Sequence, residues 1–290
     1  MLGTSEDAQS RAGRTGGEVT VSRHATAIGD NCVDVFIEPV RRRFAGGNAY
    51  NVAVQLARRG FATEYMGAVG NDANGSALRR VLEREHVAIE RLQLLPGHTS
   101  VTKIELQEGG ERVFLHEDFG VVADYEPSED DFDRAVESDL VHGAGARDVE
   151  AFLAALYERG ARVSYDFSTK DAPPDLRTLD VAFFSARPGI APVELARHAV
   201  ASGATVAVVT CGSQGSVAIE GETVEDVTAL PFYPVDTTGA GDAYIASFLT
   251  ERLEGSLLRE CMLVATEFAA KTCLHVGGLL GAELYGETRA

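Results

Sequence analysis

Short β-like runs alternate with stretches of helical periodicity along most of the 290-residue chain. The run at 205–210 is apolar throughout its interior, as the strands of buried parallel sheets are. Helical periodicity is clearest at about 149–159, at 193–201, and in two longer stretches that begin near 240 and 257. Strands and helices in alternation form a mainly parallel sheet covered by helices, so the pattern predicts an α/β fold.

One segment breaks this alternation. Two β-like runs are joined by Gly109-Gly110, which is typical of a β-hairpin, and a third run follows the first strand almost at once. We predict that these runs form a small β-flap beside the main sheet, with strands at about 31–44 and 100–118. Such a flap can close over a substrate as a lid.

Residues 1–19 are rich in Ser, Gly, Arg and acidic side chains and contain no apolar segment. They are predicted to be a disordered tail, neither a signal peptide nor a membrane anchor. Residues 20–290 are predicted to be a single domain, because 45% hydrophobic residues can form a sizeable core without disulfides or metals. The four cysteines are scattered and form no C-x-x-C pair, which favours a reducing, cytoplasmic location.

The formal net charge of −18 restricts the partners of the chain. So acidic a surface repels nucleic acid and anionic membranes, and neither is expected as a partner. No apolar run approaches the roughly 20 residues that a membrane-spanning helix needs. The sequence therefore argues against a nucleic-acid-binding function and against a membrane protein.

The strongest motif is the glycine-rich string at 235–242, Val-Asp-Thr-Thr-Gly-Ala-Gly-Asp, which opens an apolar helix. Its glycines let a ligand approach the backbone, and the free N–H groups of a first helical turn attract anions. Asp242 lies in that turn, where a carboxylate beside a bound phosphate can take a proton from an attacking hydroxyl. A lone Asp here is more simply a helix cap or a partner of the helix dipole, but the whole string is far more specific.

Two weaker motifs lie near the start of the chain. Asp30 follows the first strand, at the sheet edge where α/β proteins bind ligands, and its carboxylate can accept sugar hydroxyls or serve a turn. Gly46 and Gly47 precede the next helix and allow close approach of a ligand. Asn48 is predicted to be the N-cap of that helix. Asn51, one turn further on, faces the same cleft or lies on ordinary helix surface.

A nucleotide site is predicted after the apolar strand at 205–210. Thr210, Gly212 and Gly215 suit contacts with phosphates and ribose, although by themselves they are more simply a strand–turn–strand connection. The chain contains neither G-x-x-x-x-G-K-[ST] nor G-x-G-x-x-G after a strand. This argues against a P-loop enzyme and against a Rossmann dehydrogenase.

Together these motifs resemble the ribokinase/PfkB family of carbohydrate kinases from residue 25 to about 278. The Gly-Gly pair comes early and the string at 236–242 comes late, in the order of the family. Within the family, residues 25–34 and 46–49 are most similar to fructoselysine 6-kinases. The resemblance implies a ribokinase-like three-layer fold with a mainly parallel central sheet and a small β-flap as its lid. It also implies a small-molecule sugar substrate and a homodimer that pairs through the lid.

The resemblance implies roles for individual residues. Asp242 is the expected catalytic base. The N–H groups of Gly239, Ala240 and Gly241 are the expected anion hole for the transferring phosphoryl group. The expected sugar-binding residues are Asp30, Asp34, Gly46, Gly47, Asn51 and Arg112. The expected ATP-binding residues are Thr210, Gly212, Gly215 and Thr238.

ATP, Mg²⁺ and a monovalent cation are the cofactors that the resemblance implies. Many family members carry N-x-x-E in the middle of the chain, linked to magnesium and phosphate. The corresponding stretch here, 185–188, reads Ser-Ala-Arg-Pro and lacks both key residues. The magnesium ligands are therefore unassigned, with ATP as the carrier of the metal and Asp166 as a candidate supporting group.

The predicted function is transfer of the γ-phosphate of ATP to a primary hydroxyl of a ketose or a ketose-amine such as fructoselysine. Acidic groups beyond those that hold the sugar fit an amine-bearing substrate. Asp34, Glu117 and Asp118 are candidates on the flap, or else solvated surface acids. The alternatives are a kinase of ribose, fructose or adenosine, and a non-catalytic sugar-binding homologue. The last is the less favoured, because a binding protein has no need of Asp242.

Overall fold

The computed structural model of the chain describes residues 23–284, and the tail predicted at 1–19 lies outside them. In chain order its strands are β1 (His24–Gly29), β2 (Cys32–Phe36), β3 (Arg42–Gly46), β4 (Ala62–Met66), β5 (Ala68–Gly70), β6 (Gln93–Leu95), β7 (Val101–Leu106), β8 (Arg112–Asp118), β9 (Leu140–Ala144), β10 (Val163–Asp166), β11 (Leu179–Ser185), β12 (Val206–Thr210), β13 (Ser216–Glu220) and β14 (Thr223–Val227). Its α-helices are α1 (Asn48–Arg58), α2 (Ala73–Arg84), α3 (Glu129–Ala135), α4 (Val149–Glu158), α5 (Pro192–Ala201), α6 (Ala240–Glu254) and α7 (Leu258–Thr272). Within the described range no helix combines the length and apolar character that crossing a bilayer requires.

Eight strands form the main sheet, in the order β14-β13-β12-β11-β10-β9-β1-β4. All neighbours from β12 to β4 pair in parallel, whereas β13 and β14 add antiparallel pairs at one edge. The apolar interior of β12 is buried between two paired neighbours, as its composition requires. The predicted α/β fold with a mainly parallel central sheet is confirmed.

Helices cover both faces of the main sheet. Phe183 and Phe184 are neighbours in β11 and point to opposite faces, where they join separate apolar cores. The Phe184 core includes buried side chains of α3, α4 and α5, and the Phe183 core includes those of α1, α6 and α7. The chain therefore forms three layers, with the carboxyl ends of the parallel strands at one edge, where such folds bind ligands.

The flap is a second sheet of four strands, in the order β3-β2-β7-β8. Its central pair, β2 and β7, is parallel, and the two outer pairs are antiparallel. Gly109 and Gly110, at the tip of the β7–β8 hairpin, have φ angles of +89° and +78°, which favour glycine. Phe36, Phe44 and Ile104 form a small apolar core inside the flap. Because β3 ends just before α1 begins, the flap leads directly to the ligand-binding edge of the main sheet.

Candidate active site

The helix α6 begins with a glycine-rich turn at the ligand-binding edge. Gly239 is the N-cap and has a φ angle of +73°, in the left-handed region. A Cβ atom there would overlap the backbone of Gly278, so the packing of the protein requires glycine. A Cβ atom on Gly241 would meet no described atom within 4 Å. The surface beside Gly241 is therefore open.

Backbone donors of this turn are available to an anion. The N–H groups of Gly239, Gly241 and Asp242 have no protein acceptor in the part of the chain that the structure describes. The N–H of Ala240 lies 3.3 Å from the carbonyl oxygen of Thr237, in a weak turn hydrogen bond. Ala240 is thus the least available member of the predicted anion hole, and Asp242 adds a donor to it. Three free donors at a helix N-terminus fit the oxygens of a phosphate.

Buried Asp236 holds the turn in place. Its Oδ1 atom accepts hydrogen bonds from the N–H and the hydroxyl of Thr238, at 2.9 and 2.7 Å. Its Oδ2 atom accepts a third, from the N–H of Gly277, at 2.8 Å. The hydroxyl proton of Thr238 is thus directed to Asp236, which leaves the oxygen lone pairs for the predicted contact with ATP. Asp236 was not among the predicted site residues, although it lies in the same string.

Asp242 lies partly exposed in the first turn of α6, and Asn51 of α1 contacts it. The Nδ2 atom of Asn51 donates to Oδ2 of Asp242 over 2.7 Å. Desolvation, together with the charges of Asp166 and Asp30, raises the pKa of Asp242 to about 8, and the hydrogen bond from Asn51 opposes this rise. A carboxyl group with a pKa near the pH of its surroundings is suited to exchange protons.

Asp30 lies just beyond β1 and binds the amino end of α1. Its two carboxylate oxygens accept hydrogen bonds from the N–H groups of Asn48 and Ala49, each at 3.0 Å. The turn-serving role considered for Asp30 is therefore present. Each oxygen retains a lone pair, so the predicted contact with sugar hydroxyls stays a prediction.

The sequence predicted Asn48 as the N-cap of α1, and this prediction is wrong. Gly47 is the N-cap, and a Cβ atom at this position would overlap the backbone of Asn31. The chain therefore makes this turn without a capping side chain. The side chain of Asn48 instead donates from Nδ2 to the carboxylate of Asp166 at the end of β10. The reason is that the carboxylate of Asp30 already accepts from the first-turn N–H groups.

Asp34 of the flap is buried, with 5% of its surface exposed, and lies against Gly46. A Cβ atom on Gly46 would overlap the Asp34 carboxylate, which explains a glycine at that position. The Sγ atom of Cys32 donates to Oδ1 of Asp34 at 3.2 Å. Desolvation raises the pKa of Asp34 to about 7, while the Cys32 contact and the charge of Arg112 lower it. The carboxyl group can therefore change its charge near neutral pH.

The flap touches the glycine-rich turn directly. The Nη1 atom of Arg112, the first residue of β8, donates to the carbonyl oxygen of Thr237 over 2.7 Å. The N–H of Thr237 in turn donates to the carbonyl oxygen of Gly110 at the tip of the hairpin, over 3.1 Å. Arg112, predicted to bind sugar, is thus one of two flap residues, with Gly110, that hydrogen-bond to the turn.

Three of the predicted ATP-binding residues lie at the end of β12 or just beyond it, at the same edge of the sheet. Thr210 ends the strand, and its hydroxyl donates to the carbonyl oxygen of Phe184 at 3.3 Å. Gly212 has a φ angle of +56°, and a Cβ atom there would meet no described atom within 4 Å, so its surface is open to a ligand. A Cβ atom on Gly215 would overlap the carbonyl of Val227, so that glycine is required by strand packing.

No group of three or more His, Cys, Asp or Glu side chains among residues 23–284 is arranged to hold a metal ion. Asp166, the candidate supporting group, accepts from the N–H and hydroxyl of Ser168 at 2.9 and 2.6 Å and from Asn48. Burial raises its pKa.

Comparisons with known proteins agree with this geometry. A model of the pfkB family carbohydrate kinase matches residues 33–164 and 180–283. The chain is 37% identical over 255 residues to a fructoselysine 6-kinase of Shigella flexneri, a match that covers 86% of this chain and 97% of the relative. It is 33% identical over 269 residues to the fructosamine kinase FrlD of Bacillus subtilis, which covers 90% of this chain and 93% of the relative.

Among solved structures, a ribokinase from Thermotoga maritima superposes with a TM-score of 0.75 at 18% sequence identity. The superposition covers 89% of this chain and 94% of the ribokinase. At this identity the likeness concerns the fold alone, and it confirms the ribokinase-like three-layer architecture predicted from the sequence.

Proposed function

The chain belongs to the pfkB family of carbohydrate kinases, and we propose that it transfers the γ-phosphate of ATP to the 6-hydroxyl of a ketose amine such as fructoselysine. The observation that carries the proposal is the Asn51–Asp242 hydrogen bond beside three free backbone N–H groups. Relatives named fructoselysine 6-kinase and fructosamine kinase support the ketose amine as acceptor.

In the proposed reaction, the carboxylate of Asp242 accepts the proton of the 6-hydroxyl while its oxygen attacks the γ-phosphorus. The new O–P bond forms as the bond from the γ-phosphorus to the β-phosphate oxygen breaks, and ADP leaves with that electron pair. Asn51 holds the carboxylate through its Nδ2 atom. The N–H groups of Gly239, Gly241 and Asp242 are the donors available to the phosphoryl oxygens, where fixed dipoles lower the barrier most.

Acidic side chains on the flap support an amine-bearing substrate. Asp34, Thr102 and Glu117 lie opposite one another on β2, β7 and β8 and so share one face of the flap. The row runs from buried Asp34 to exposed Glu117. Asp118 instead pairs with His98, 2.8 Å from its Nε2 atom, which leaves it less available to a substrate.

ATP is the proposed phosphoryl donor, and the open surfaces at Gly212 and Gly241 support a nucleotide that lies between β12 and α6. Magnesium, which would shield the phosphate charge, is proposed to arrive with ATP, since no group of three or more His, Cys, Asp or Glu side chains among the described residues is arranged to hold a metal ion. The same proposal includes a monovalent cation, the further site roles that the resemblance implies, and a cytoplasmic location.

A homodimer through the flap is also proposed. The strand β8 is an edge of the flap sheet, and its Val113, Phe114 and Leu115 side chains are exposed. An edge strand with exposed apolar residues is a favourable surface for a second copy of the chain. Pairing there would also place the lid of one active site beside that of the other.

An ATP-turnover assay with a panel of acceptors tests the proposed function. We expect the highest kcat/KM for fructoselysine, and lower values for fructose, ribose and adenosine. A charged hydrogen bond to the amine in a closed site favours it by roughly 1.5–3 kcal/mol, about one to two orders of magnitude. A clear preference for ribose, fructose or adenosine would contradict the ketose-amine substrate but not the kinase activity. Binding without turnover would instead indicate a sugar-binding homologue.

A further inference from the structure

A cavity of about 350 Å³ lies against the backbone that carries Asp30, outside the residues assigned to catalysis. Gly29, which precedes Asp30, and Gly145, beyond the end of β9, both line it. A Cβ atom on Gly145 would lie 2.9 Å from the Cβ atom of Asp30. The cavity thus adjoins the predicted sugar site, and its volume is in the range of small-ligand pockets, about 300–1,000 Å³.

The lining of this cavity divides into an apolar part and a charged rim. Ile28, Phe132 and Phe152, all buried, form the apolar part beneath the amino ends of α3 and α4. The rim carries the carboxylates of Glu126, Glu129 and Asp148 and the guanidinium of Arg147.

The rim carries mixed charge, because the Glu129 carboxylate is also paired with Arg159 of the adjoining turn. The Arg147 and Glu126 side chains form an exposed ion pair of 3.2 Å, which is weak enough to exchange for a ligand. Asp148 is the N-cap of α4 and accepts from the N–H of Ala151 at 3.0 Å. A ligand with both an ammonium and a carboxylate group can pair with Glu126 and Arg147 at once.

The unpaired hydroxyl of Tyr125 is a second observation that indicates a ligand in the cavity. Tyr125 lines the cavity, only 6% of its surface is exposed, and its hydroxyl has no hydrogen-bond partner among residues 23–284. Buried hydroxyl groups are nearly always hydrogen-bonded, because an unpaired one loses its contacts with water. A ligand polar group in the cavity would provide the missing partner.

We propose that this cavity binds the aminoalkyl arm of the ketose-amine substrate, an inference that rests on the proposed function. The methylene stem of a lysyl arm matches the apolar part of the lining, and its amino-acid head matches the rim of mixed charge. Plain hexoses and pentoses have no such arm. The cavity would therefore decide substrate choice, while the residues around Asp242 carry out the transfer.

Two substitutions in α4 test the inference. Ala155→Leu and Ala151→Leu place extra bulk in the cavity, and Ala154→Leu, on the exposed face of the same helix and outside the lining, is the matched control. We compare kcat/KM for fructoselysine and for 1-deoxy-1-methylamino-fructose, which keeps the amine and lacks the arm. Each of these two variants is expected to raise KM for fructoselysine at least about tenfold, because the added side chain occupies the space that the aminoalkyl arm would take. KM for the short substrate is expected to stay unchanged.

Tyr125→Phe gives an independent measurement. Its hydroxyl has no protein partner in the described structure, so its removal breaks no hydrogen bond of the free protein. KM for fructoselysine is expected to rise about three- to tenfold, with the short substrate again unaffected.

The outcomes separate the two proposals. Unchanged KM for fructoselysine in both cavity-filled variants overturns the cavity assignment and leaves the kinase function intact. An equal loss for both substrates also overturns it, because the effect would then be on the sugar site or on folding. If the wild-type protein phosphorylates neither ketose amine, the proposed function itself fails.

Discussion

Asn51 donates a hydrogen bond to Asp242 over 2.7 Å, across 191 positions of sequence. Both residues lie near the amino ends of their helices, α1 and α6. Helix N-termini carry partial positive charge, which stabilises a carboxylate and phosphate oxygens together. The pair therefore joins the predicted sugar-binding helix to the turn that is proposed to bind phosphate. The protonation state of the Asp242 carboxyl group is expected to control several measurable properties.

Asp242→Asn is expected to lower kcat by roughly 10²–10⁴-fold, the usual effect of removing a general base. The amide keeps the size of the side chain, so the variant should bind ATP and fructoselysine with near-normal affinity, measured by calorimetry. Asp226→Asn, an exposed change on β14, is the control and should leave kcat unchanged. Near-normal turnover by Asp242→Asn would show that another group is the base.

The pH dependence of kcat/KM should follow the Asp242 carboxyl group of the free enzyme. Its pKa of about 8 means that the base form increases, and activity rises, as pH increases through about 8. The hydrogen bond from Asn51 lowers this pKa, so Asn51→Ala is expected to shift the rising limb to higher pH. A profile that is flat over about three pH units around that pKa would contradict the assignment.

The same carboxyl group should make the unliganded protein less stable at high pH. Its pKa is 3.8 unfolded and about 8 folded, so the folded state holds the proton longer and stability falls as pH rises between these values. The amide side chain of the Asp242→Asn variant carries no charge at any of these pH values. The free energy of unfolding of the variant, relative to that of the wild type, should therefore increase as pH rises across this window. Thermal unfolding at several pH values measures the difference, and a difference independent of pH would refute the expectation.

The hairpin of β7 and β8 is expected to be more protected from hydrogen exchange with fructoselysine bound than without it. In Arg112→Ala the contact with Thr237 is lost, so exchange in the hairpin should be faster even with the sugar present. Arg177→Ala, which removes an exposed ion pair to Asp175, is the control. Equal protection of the wild-type hairpin in both states would argue against a lid that responds to substrate.

Association through the flap is expected to depend on the exposed apolar side chains of β8. Phe114→Glu places a charge on this edge strand, where 50% of the Phe114 surface is exposed, and should shift the protein toward monomer. Sedimentation velocity measures the change, with Tyr157→Glu, an equally exposed apolar position on α4, as the control. A wild type that sediments as a monomer at all concentrations would exclude the proposed dimer.

Elements with a clean apolar pattern could be predicted from the sequence, as α1, β12 and α6 illustrate. The strand β4 could not be predicted, because its Glu64 interrupts the apolar run. Glu64 is buried by virtue of Arg134, 3.0 Å away, which comes from α3 and has no signal in the local sequence. The helix α2 could not be predicted either, since Gly75 and the arginines of the helix leave few apolar positions at helical spacing.

The site divides in the same way. The glycine-rich turn and Asp242 could be predicted because the string is contiguous. The Asn48–Asp166 contact and the acceptor role of Asp236 toward Gly277 could not, because each joins distant segments. The predicted N-cap at Asn48 was wrong for the same reason, since the competing acceptor, Asp30, precedes it by 18 residues on another element.

The glycine-rich turn is completed by residues about 40 positions further along the chain. Asp236 accepts from the N–H of Gly277, and Gly239 packs against the backbone of Gly278. Proteins are synthesised from the N-terminus, so the sheet and the flap leave the ribosome well before these two glycines do. A nascent chain can therefore form most of its sheet while the turn proposed to bind phosphate still lacks its contacts with Gly277 and Gly278.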